Sequence, residues 1–583
     1  MTFSTTELLH NLRQFIQSEA ENQHQSIERQ WARPIAERVY NGWAIEGLRL
    51  AKVNEKTRIL SLICATNESR FREGDLLILH RGNPRDPNAL HVELEYDGEM
   101  EIEVSLQKGN LTFLYAEPEG WIADQDFLDL SDLYLQSLDK VADTQLGRSV
   151  ILPLLSGALQ PQLDFARYER AEQTARNSNL NESQIEAIAQ AYATNLVHLV
   201  QGPPGTGKTV LLAHLVRLYV EEGKRVLVTA LTHRAINNAL NKIAAIDPDL
   251  PVCKIGEERQ ARDLHLPNYE TFDQSHFGDL PKGYAVGATP FCTMSKRLSN
   301  VEFDVVVFDE ASQVTLPLAI MGMLAGGQYV FIGDQNQLPP VTTSDGRLIG
   351  SESIFGYLTG RGYETMLNVT YRMNDVLSEW PSRNFYGGEL KPTQNAASRR
   401  LSLAPISTRW DFVLDPASPA VFLDLCHRNT TVRSRTEAQV VVDLLLSLLE
   451  HGIPPYDIGV VVPYRAQSRL IRSLLRRALP DEETLRQLVI DTVERMQGQE
   501  REVILVSFTT ASPGFAAQVA EFFFQPQRLN VAVTRPRTKL ILIGSRHILD
   551  TKPNEPELAE QVELLRDLIA SCYTFTIPDG NLA

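Results

Sequence analysis

The hydrophobic pattern at the start of the chain has a helical period. Leu8, Leu9, Leu12, Phe15 and Ile16 recur at three- and four-residue spacing, which predicts a helix over residues 5–40. The following block, to about residue 115, shifts to a period of two. Its clearest part runs from Leu90 to Val104, where Val92, Leu94 and Tyr96 alternate with Glu93 and Glu95. Asp97-Gly98 then offers a tight turn, and Met100, Ile102 and Val104 alternate with Glu99, Glu101 and Glu103. This predicts a hairpin with one apolar and one acidic face, half-buried in a small sheet or barrel. Residues 120–175 return to helical patterning.

From about residue 176 the apolar positions gather into short continuous runs. They are Leu196–Val200, Val226–Thr229, Val305–Phe308 and Tyr329–Ile332, then Ile458–Val462, Val503–Ser507 and Leu540–Ile543. Such runs, separated by helix-like stretches, predict strands buried on both faces in parallel sheets, an α/β architecture. They form two groups divided near 345–360, so two such domains are expected. The polar segment 256–283 reads as a loop or small insertion. The organisation expected is a helix over 1–45, a small β-barrel over 46–115, a helical region over 116–175, and α/β domains over 176–350 and 351–583.

A length of 583 residues suits three or four domains of about 100–200 residues each. With 43% hydrophobic and 22% charged residues, neither a disordered chain nor a disulfide-framed mini-protein fits. Cys64, Cys253, Cys292, Cys426 and Cys572 are scattered and form no zinc or iron–sulfur pattern. They read as reduced, buried thiols, and no signal peptide or transmembrane run is seen, so a cytoplasmic protein without a membrane partner is expected. The net charge of −17 gives no overall basic footprint for nucleic acid. The charge is local, however. Residues 91–143 hold 14 acids against Lys108 and Lys140, and so carry −12 of it. That stretch is expected to avoid a nucleic-acid strand and to offer a face to a basic protein partner.

Gly202-Pro-Pro-Gly205-Thr206-Gly207-Lys208-Thr209 matches the phosphate-binding pattern GxxxxGK[ST], and about 0.02 chance matches are expected in a chain this long. It follows one apolar run and opens a helix-like stretch, which is the context the pattern needs. Glycines let the backbone curl around an anion, and the helix N-terminus adds its dipole. Pro203 and Pro204 cannot donate, so the backbone donors are Gly205 to Thr209. Lys208 is placed to reach the outer phosphates and the Thr209 hydroxyl to ligate Mg²⁺. Val305–Phe308 runs into Asp309 and Glu310. Strand ends form the ligand crevice in such sheets, so Asp309 is expected to hold Mg²⁺ and Glu310 to take a proton from the attacking water.

With these residues, further motifs in order resemble superfamily 1 helicases, most closely the up-frameshift and immunoglobulin-mu-binding group. Leu180 to Gln184 resembles the Q motif, and Asp309 to Gln313 motif II. Gly333 to Pro340 resembles motif III, and Tyr371-Arg372-Met373 the start of the second motor domain. Asp491 to Glu500 resembles motif V and Asn530 to Arg535 motif VI. The resemblance implies two RecA-like P-loop motor domains with an N-terminal helical stalk and small β-barrel. It implies an ATP- and Mg²⁺-dependent helicase or translocase on single-stranded DNA or RNA, moving 5′→3′ and acting as a monomer. The roles it implies are adenine contact for Gln184, stacking for Tyr371, and a ribose or phosphate contact for Glu500. Gln337 would sense the terminal phosphate, and Arg372 and Arg535 would reach the phosphates from the second domain. Thr232, His233, Asn237, Pro463, Tyr464, Gln467 and Thr492 fall at the family's strand-contacting positions. Thr232 equally suits a helix cap, and His233 a cap or core histidine. Arg465, Arg469, Arg472, Arg476 and Arg477 suit a solvated helix face as well as a groove wall. Pro536 follows Arg535 where the family has a small residue, and fixes the backbone there. An ATPase that remodels protein–nucleic-acid complexes without separating strands would carry the same motor motifs.

Overall fold

The computed structural model describes residues 4–55, 58–67, 69–71, 74–98, 100–298, 301–343, 348–479 and 481–577. The chain divides into two compact units: Met1–Gly157 with Glu258–Arg262 and Val341–Ser351, and Ala158–Glu257 with Asp263–Pro340 and Glu352–Ala583.

In the first unit, the apolar stripe of helix Thr5–Trp31 buries Leu8, Leu12, Phe15 and Ile16, and the Ser4 side chain caps its first turn. The single helix expected over 5–40 is in fact two. Pro34, which lacks an N–H, stands at the N-cap of a second helix, Ile35–Tyr40. Six antiparallel strands then close a barrel in the order Ala44–Asn54, Ile59–Ile63, Glu101–Lys108, Leu90–Asp97, Leu76–His80, Trp121–Gln125. The alternation read from sequence places Val92, Leu94, Ile102 and Val104 in the barrel core. Asp97 is still in register with Ile102 and the Gly98 N–H donates to Glu101 O at 2.9 Å, so the pairing continues past Asp97-Gly98, which is not itself the turn. Glu99 lies outside the described residues. The barrel also extends past the expected end at 115. Trp121–Gln125, which falls inside the stretch read as helical, pairs with both Ala44–Asn54 and Leu76–His80 and so closes the barrel.

The acidic stretch is met by bases of the same unit. Arg259 lies 3.1 Å from both Glu93 and Glu95. Arg13 pairs with Asp139, Arg81 with Glu117, and His91 with Asp126 at 2.6 Å. Asp124 is buried between Arg38 and His80. Much of the charge read as a face for a basic protein partner is therefore neutralised within the unit, and the segment expected to be a loop contributes Arg259 to that neutralisation.

The second unit holds two large parallel sheets and a two-stranded parallel one, Val369–Thr370 with Lys391–Pro392. The first runs Asn268–Tyr269, Val252–Ile255, Tyr284–Gly287, Arg225–Thr229, Phe303–Phe308, Gly326–Gly333, Val197–Gln201, Glu364–Met366. The second runs Val489–Thr492, Ile458–Val462, Arg501–Ser507, Pro536–Gly544, Ala420–Asp424, Tyr573–Thr576. Each apolar run read from sequence is one of these strands, and helices cover the sheet faces through separate apolar clusters. The first sheet does not stop at 350, because Glu364–Met366 pairs with Val197–Gln201 at its edge. No helix among the described residues is long and apolar enough to cross a membrane.

Candidate nucleotide-binding site

Strand Val197–Gln201 delivers the glycine-rich loop, and helix Lys208–Glu221 leaves it. Gly207 caps that helix in the left-handed region, at φ 82°. A β-carbon there would stand 2.6 Å from Gln184 Nε2, so glycine meets both demands. Lys208 Nζ donates to the Gly202 carbonyl at 2.6 Å, which folds its side chain back along the loop. The Thr206 hydroxyl is buried and donates to Pro203 O at 2.7 Å, as does the Thr206 N–H at 3.3 Å, which closes the loop into a tight turn.

That cavity is about 430 Å³. Gly205 to Thr209, Gln184, Glu310 and Gln337 line it, together with Tyr371, Arg372, Glu500 and Arg535. The candidate ATP-site residues, spread over more than 350 positions of sequence, thus converge on one cleft. Gly202 of the loop and Asp309, next in sequence to Glu310, do not themselves line it.

Glu310 follows strand Phe303–Phe308 in a left-handed conformation, at φ 49°, where non-glycine residues are strained. Its Oε2 is buried with no hydrogen-bond partner among the described residues. Burial and the neighbouring Glu310 charge push the Asp309 carboxyl above the ordinary carboxylate range, against the pull of Lys208. Two adjacent carboxylates, one orphaned and one disfavoured as an anion, with the Thr209 hydroxyl in the same cleft, form a hard-oxygen donor set suited to Mg²⁺. Arg535 is 1% exposed. Its Nε donates to Val531 O at 2.9 Å, and burial with the Arg372 charge nearby lowers its pKa. A polyphosphate is the kind of ligand that relieves such a buried cation. Pro536 is the first residue of strand Pro536–Gly544, a position where a missing N–H is tolerated, and Arg535 still reaches the cavity.

Several side chains are engaged differently from the roles the sequence implied. Gln184 Oε1 accepts from Asn181 N at 3.1 Å, and its Nε2 donates to Thr206 O at 3.0 Å, so it braces the phosphate loop. One amide hydrogen and one lone pair remain for a base edge. Arg372 and Glu500 bind each other at 2.7 Å, and Arg372 also donates to Thr534 O. Despite its burial, Glu500 is held below the usual carboxylate range by Arg372 and Arg537. Tyr371 is 42% exposed, and its hydroxyl accepts from Asn181.

The strand-contacting positions separate. Thr232 caps helix His233–Ile246 by accepting from Ala235 N, and His233 is half-buried in its first turn. Pro463 follows strand Ile458–Val462, whose Val462 is in register with Thr492. These four residues stand at strand C-terminal ends, where a ligand can lie. Asn237 does not. It is 1% exposed, bridging Asp263 and Lys254 at 2.6 and 2.7 Å. Gln467 is 0% exposed and spends its amide on both backbone groups of Ser434 and on Ser507. Tyr464 lays its ring on Phe522, with centroids 5.8 Å apart. Asn237 and Gln467 are structural, and Tyr464 packs internally. The arginine stretch lies on helix Arg465–Ala478, where Arg472 donates to Ile490 O.

Sequence reading missed three contributors. Arg399 donates to the carbonyls of Arg372 and Tyr371 at 3.0 and 3.4 Å, bracing that segment. Tyr386 and Asn530 join Asp334 in a buried polar cluster beside Gln337. Asp334 and Asn530 lie within the quoted motifs, but no spacing signal singles out Tyr386 or Arg399.

Residues 179–350 and residues 351–547 each match a family model described as an AAA domain. The chain is 28% identical over 447 residues to the DNA replication ATP-dependent helicase/nuclease DNA2 of Saccharomyces cerevisiae, covering 70% of this chain and 29% of that protein. The Mus musculus protein of the same name is 31% identical over 417 residues, covering 64% and 38%. DNA polymerase alpha-associated DNA helicase A of Schizosaccharomyces pombe is 28% identical over 436 residues, covering 63% and 64%. The matches thus span about a third of the first two relatives.

Proposed function

We propose that this chain is an ATP- and Mg²⁺-dependent helicase motor that moves 5′→3′ along single-stranded nucleic acid. The observation that carries the reading is the single cleft in which Lys208, Glu310 and Gln337 face Arg372 and Arg535. The names of the relatives favour DNA over RNA as the strand. The finer placement in the up-frameshift group rests on the motif order alone. Action as a monomer and a cytoplasmic setting belong to the same reading, and all five cysteines being thiols fits a reducing compartment.

The phosphate loop cradles the polyphosphate with its N–H groups and Lys208. Thr209 and Asp309 would hold Mg²⁺, which would supply positive charge to neutralise the phosphates. Glu310 takes the proton of the attacking water, and Gln337 orients that water. Arg535 and Arg372 stabilise the spreading charge, Arg372 by exchanging Glu500 for phosphate oxygens. Because the two arginines come from the second sheet's side of the cleft, hydrolysis is coupled to the placement of that sheet.

ATPase activity measured with matched single-stranded DNA and RNA across a salt series tests the reading. Stimulation by DNA that weakens as salt rises is expected. Glu310→Gln should bind ATP while turnover falls about 10²–10⁴-fold. ATPase activity indifferent to any strand would sink the proposal. Stimulation without strand displacement on a tailed duplex would assign the chain to remodelling instead.

A further inference from the structure

Behind Gln337 a chain of buried polar groups runs from one side of the cleft to the other. Gln337 Nε2 donates to Asp334 Oδ2 at 2.9 Å. The Tyr386 hydroxyl donates to the same oxygen at 2.8 Å. The same hydroxyl accepts from Asn530 Nδ2 at 2.8 Å, and Asn530 also donates to Asn336 O at 2.7 Å. Asn336 in turn donates to Phe385 O at 2.7 Å. Asp334 and Asn530 are 0% exposed, Tyr386 3% and Gln337 4%.

The ends of this chain matter. Gln337 follows strand Gly326–Gly333 of the first sheet. Asn530 sits on helix Pro526–Val533, and the Thr534 hydroxyl donates to Asn530 O at 2.6 Å. Arg535 then hangs on Val531 O and Thr534 Oγ1. Asn530 therefore moves with the segment that aims Arg535. Tyr386, at the C-terminal end of helix Asp375–Phe385, is the one side chain among the described residues that bonds both the Asp334 carboxylate and the Asn530 amide, beside the backbone of Asn336, whose N–H donates to Asp334 Oδ1 at 3.1 Å and whose carbonyl accepts from Asn530. Burial and the Asp334 charge push its phenol well above its ordinary pKa, so the O–H stays available to donate.

We propose that Tyr386 is a positioning residue for ATP hydrolysis, acting through Asp334 to set Gln337 only when the helix bearing Asn530, and with it Arg535, is in place. Asn336 N–H anchors one oxygen of the buried Asp334 carboxylate, and Gln337 Nε2 and the Tyr386 hydroxyl share the other; with the hydroxyl removed, that second oxygen and the Gln337 amide on it are held less tightly. The coupling is local and directional: displacement of Asn530 loosens Tyr386, then Asp334, then Gln337.

This inference rests on the hydrolytic reading of the cleft, and the experiment separates the two. Strand-stimulated ATPase kinetics, ATP binding and melting temperature are measured for the full chain, Glu310→Gln, Tyr386→Phe, Asn530→Ala and the double Tyr386→Phe/Asn530→Ala. Tyr386→Phe keeps the ring and removes only the hydroxyl. Its kcat should fall at least about tenfold with KM for ATP within about twofold, because a displaced water-orienting group costs rate and not ground-state binding. The double variant should be little worse than the worse single, as expected of residues in one relay. Wild-type kcat in Tyr386→Phe, losses that multiply in the double variant, or a kcat loss that only follows a drop in melting temperature overturns the inference. If the unaltered chain itself lacks ATPase activity, or Glu310→Gln retains it, the hydrolytic reading fails first.

Discussion

Gly205→Ala is the most direct probe of how the phosphate loop meets the arginine-bearing segment. Gly205 has φ +73°, and a β-carbon there would stand 2.4 Å from Arg372 Cβ and 2.7 Å from Thr370 Oγ1. Relieving the first contact to an ordinary carbon–carbon separation moves one side by about 1 Å. The Tyr371 N–H donates to Gly205 O at 2.8 Å, so a retreat also pulls on Tyr371. The left-handed backbone alone costs an alanine about 1–2 kcal/mol. Gly223 isolates that part. It has φ +89°, and nothing lies within 4 Å of its β-carbon position. Gly223→Ala should therefore lose a similar melting temperature increment with kcat/KM within about twofold of the parent. Gly205→Ala adds an ångström of misplacement at reacting groups, which costs about 100-fold in kcat/KM for ATP. Calorimetry and steady-state ATPase assays on the pair decide the matter. Equal activity in the two variants would refute the close approach of loop and Arg372.

Gln467→Ala strips three internal hydrogen bonds from Ser434 and Ser507 and should lower stability by about 1–3 kcal/mol in a denaturant titration, while single-strand affinity stays unchanged. A selective loss of affinity would restore Gln467 as a strand contact. Lys539 is buried against the carbonyls of Asp415 and Ser418, and burial pulls its pKa from the ordinary 10.5 to about 7. Between those values the unfolded chain binds the extra proton, so this lysine makes stability rise with pH, by up to about 1.4 kcal/mol per pH unit. Lys539→Met should flatten that part of the melting-temperature profile between about pH 7.5 and 9.5; an unchanged slope would contradict the burial. Arg259→Ala should release Glu258–Arg262 from the barrel hairpin and speed limited proteolysis there. Addition of salt to the parent should act in the same direction, and equal cutting in both proteins would show that the ion pairs do not hold the turn.

The motifs of the cleft were legible because phosphate chemistry fixes residue type and spacing over a few neighbouring positions. The long apolar strands were legible because burial on both faces leaves no polar interruption. Val252–Ile255, Glu364–Met366 and Trp121–Gln125 were not read as strands. They are short, and the last two carry polar residues whose place in a sheet is set by partners far away in sequence. Tyr386, Arg399 and Asn530 are ordinary polar residues until the chain brings Tyr386 to Asp334, Arg399 to Arg372 and Asn530 to Tyr386. The converse error has the same origin. Asn237 and Gln467 have side chains suited to phosphate contact, but Lys254, Asp263, Ser434 and Ser507 claim them first.

The edge strand Glu364–Met366 determines how this chain can be dissected. A fragment ending at 350, where the two family matches meet, would strip the neighbour from Val197–Gln201, the strand that feeds the phosphate loop. It would also break the His198–Thr365 hydrogen bond and present unpaired backbone to other copies. Expression of the first motor half as an independent piece should therefore run beyond Met366, and fragments cut at the apparent boundary should self-associate for reasons unrelated to nucleotide or strand.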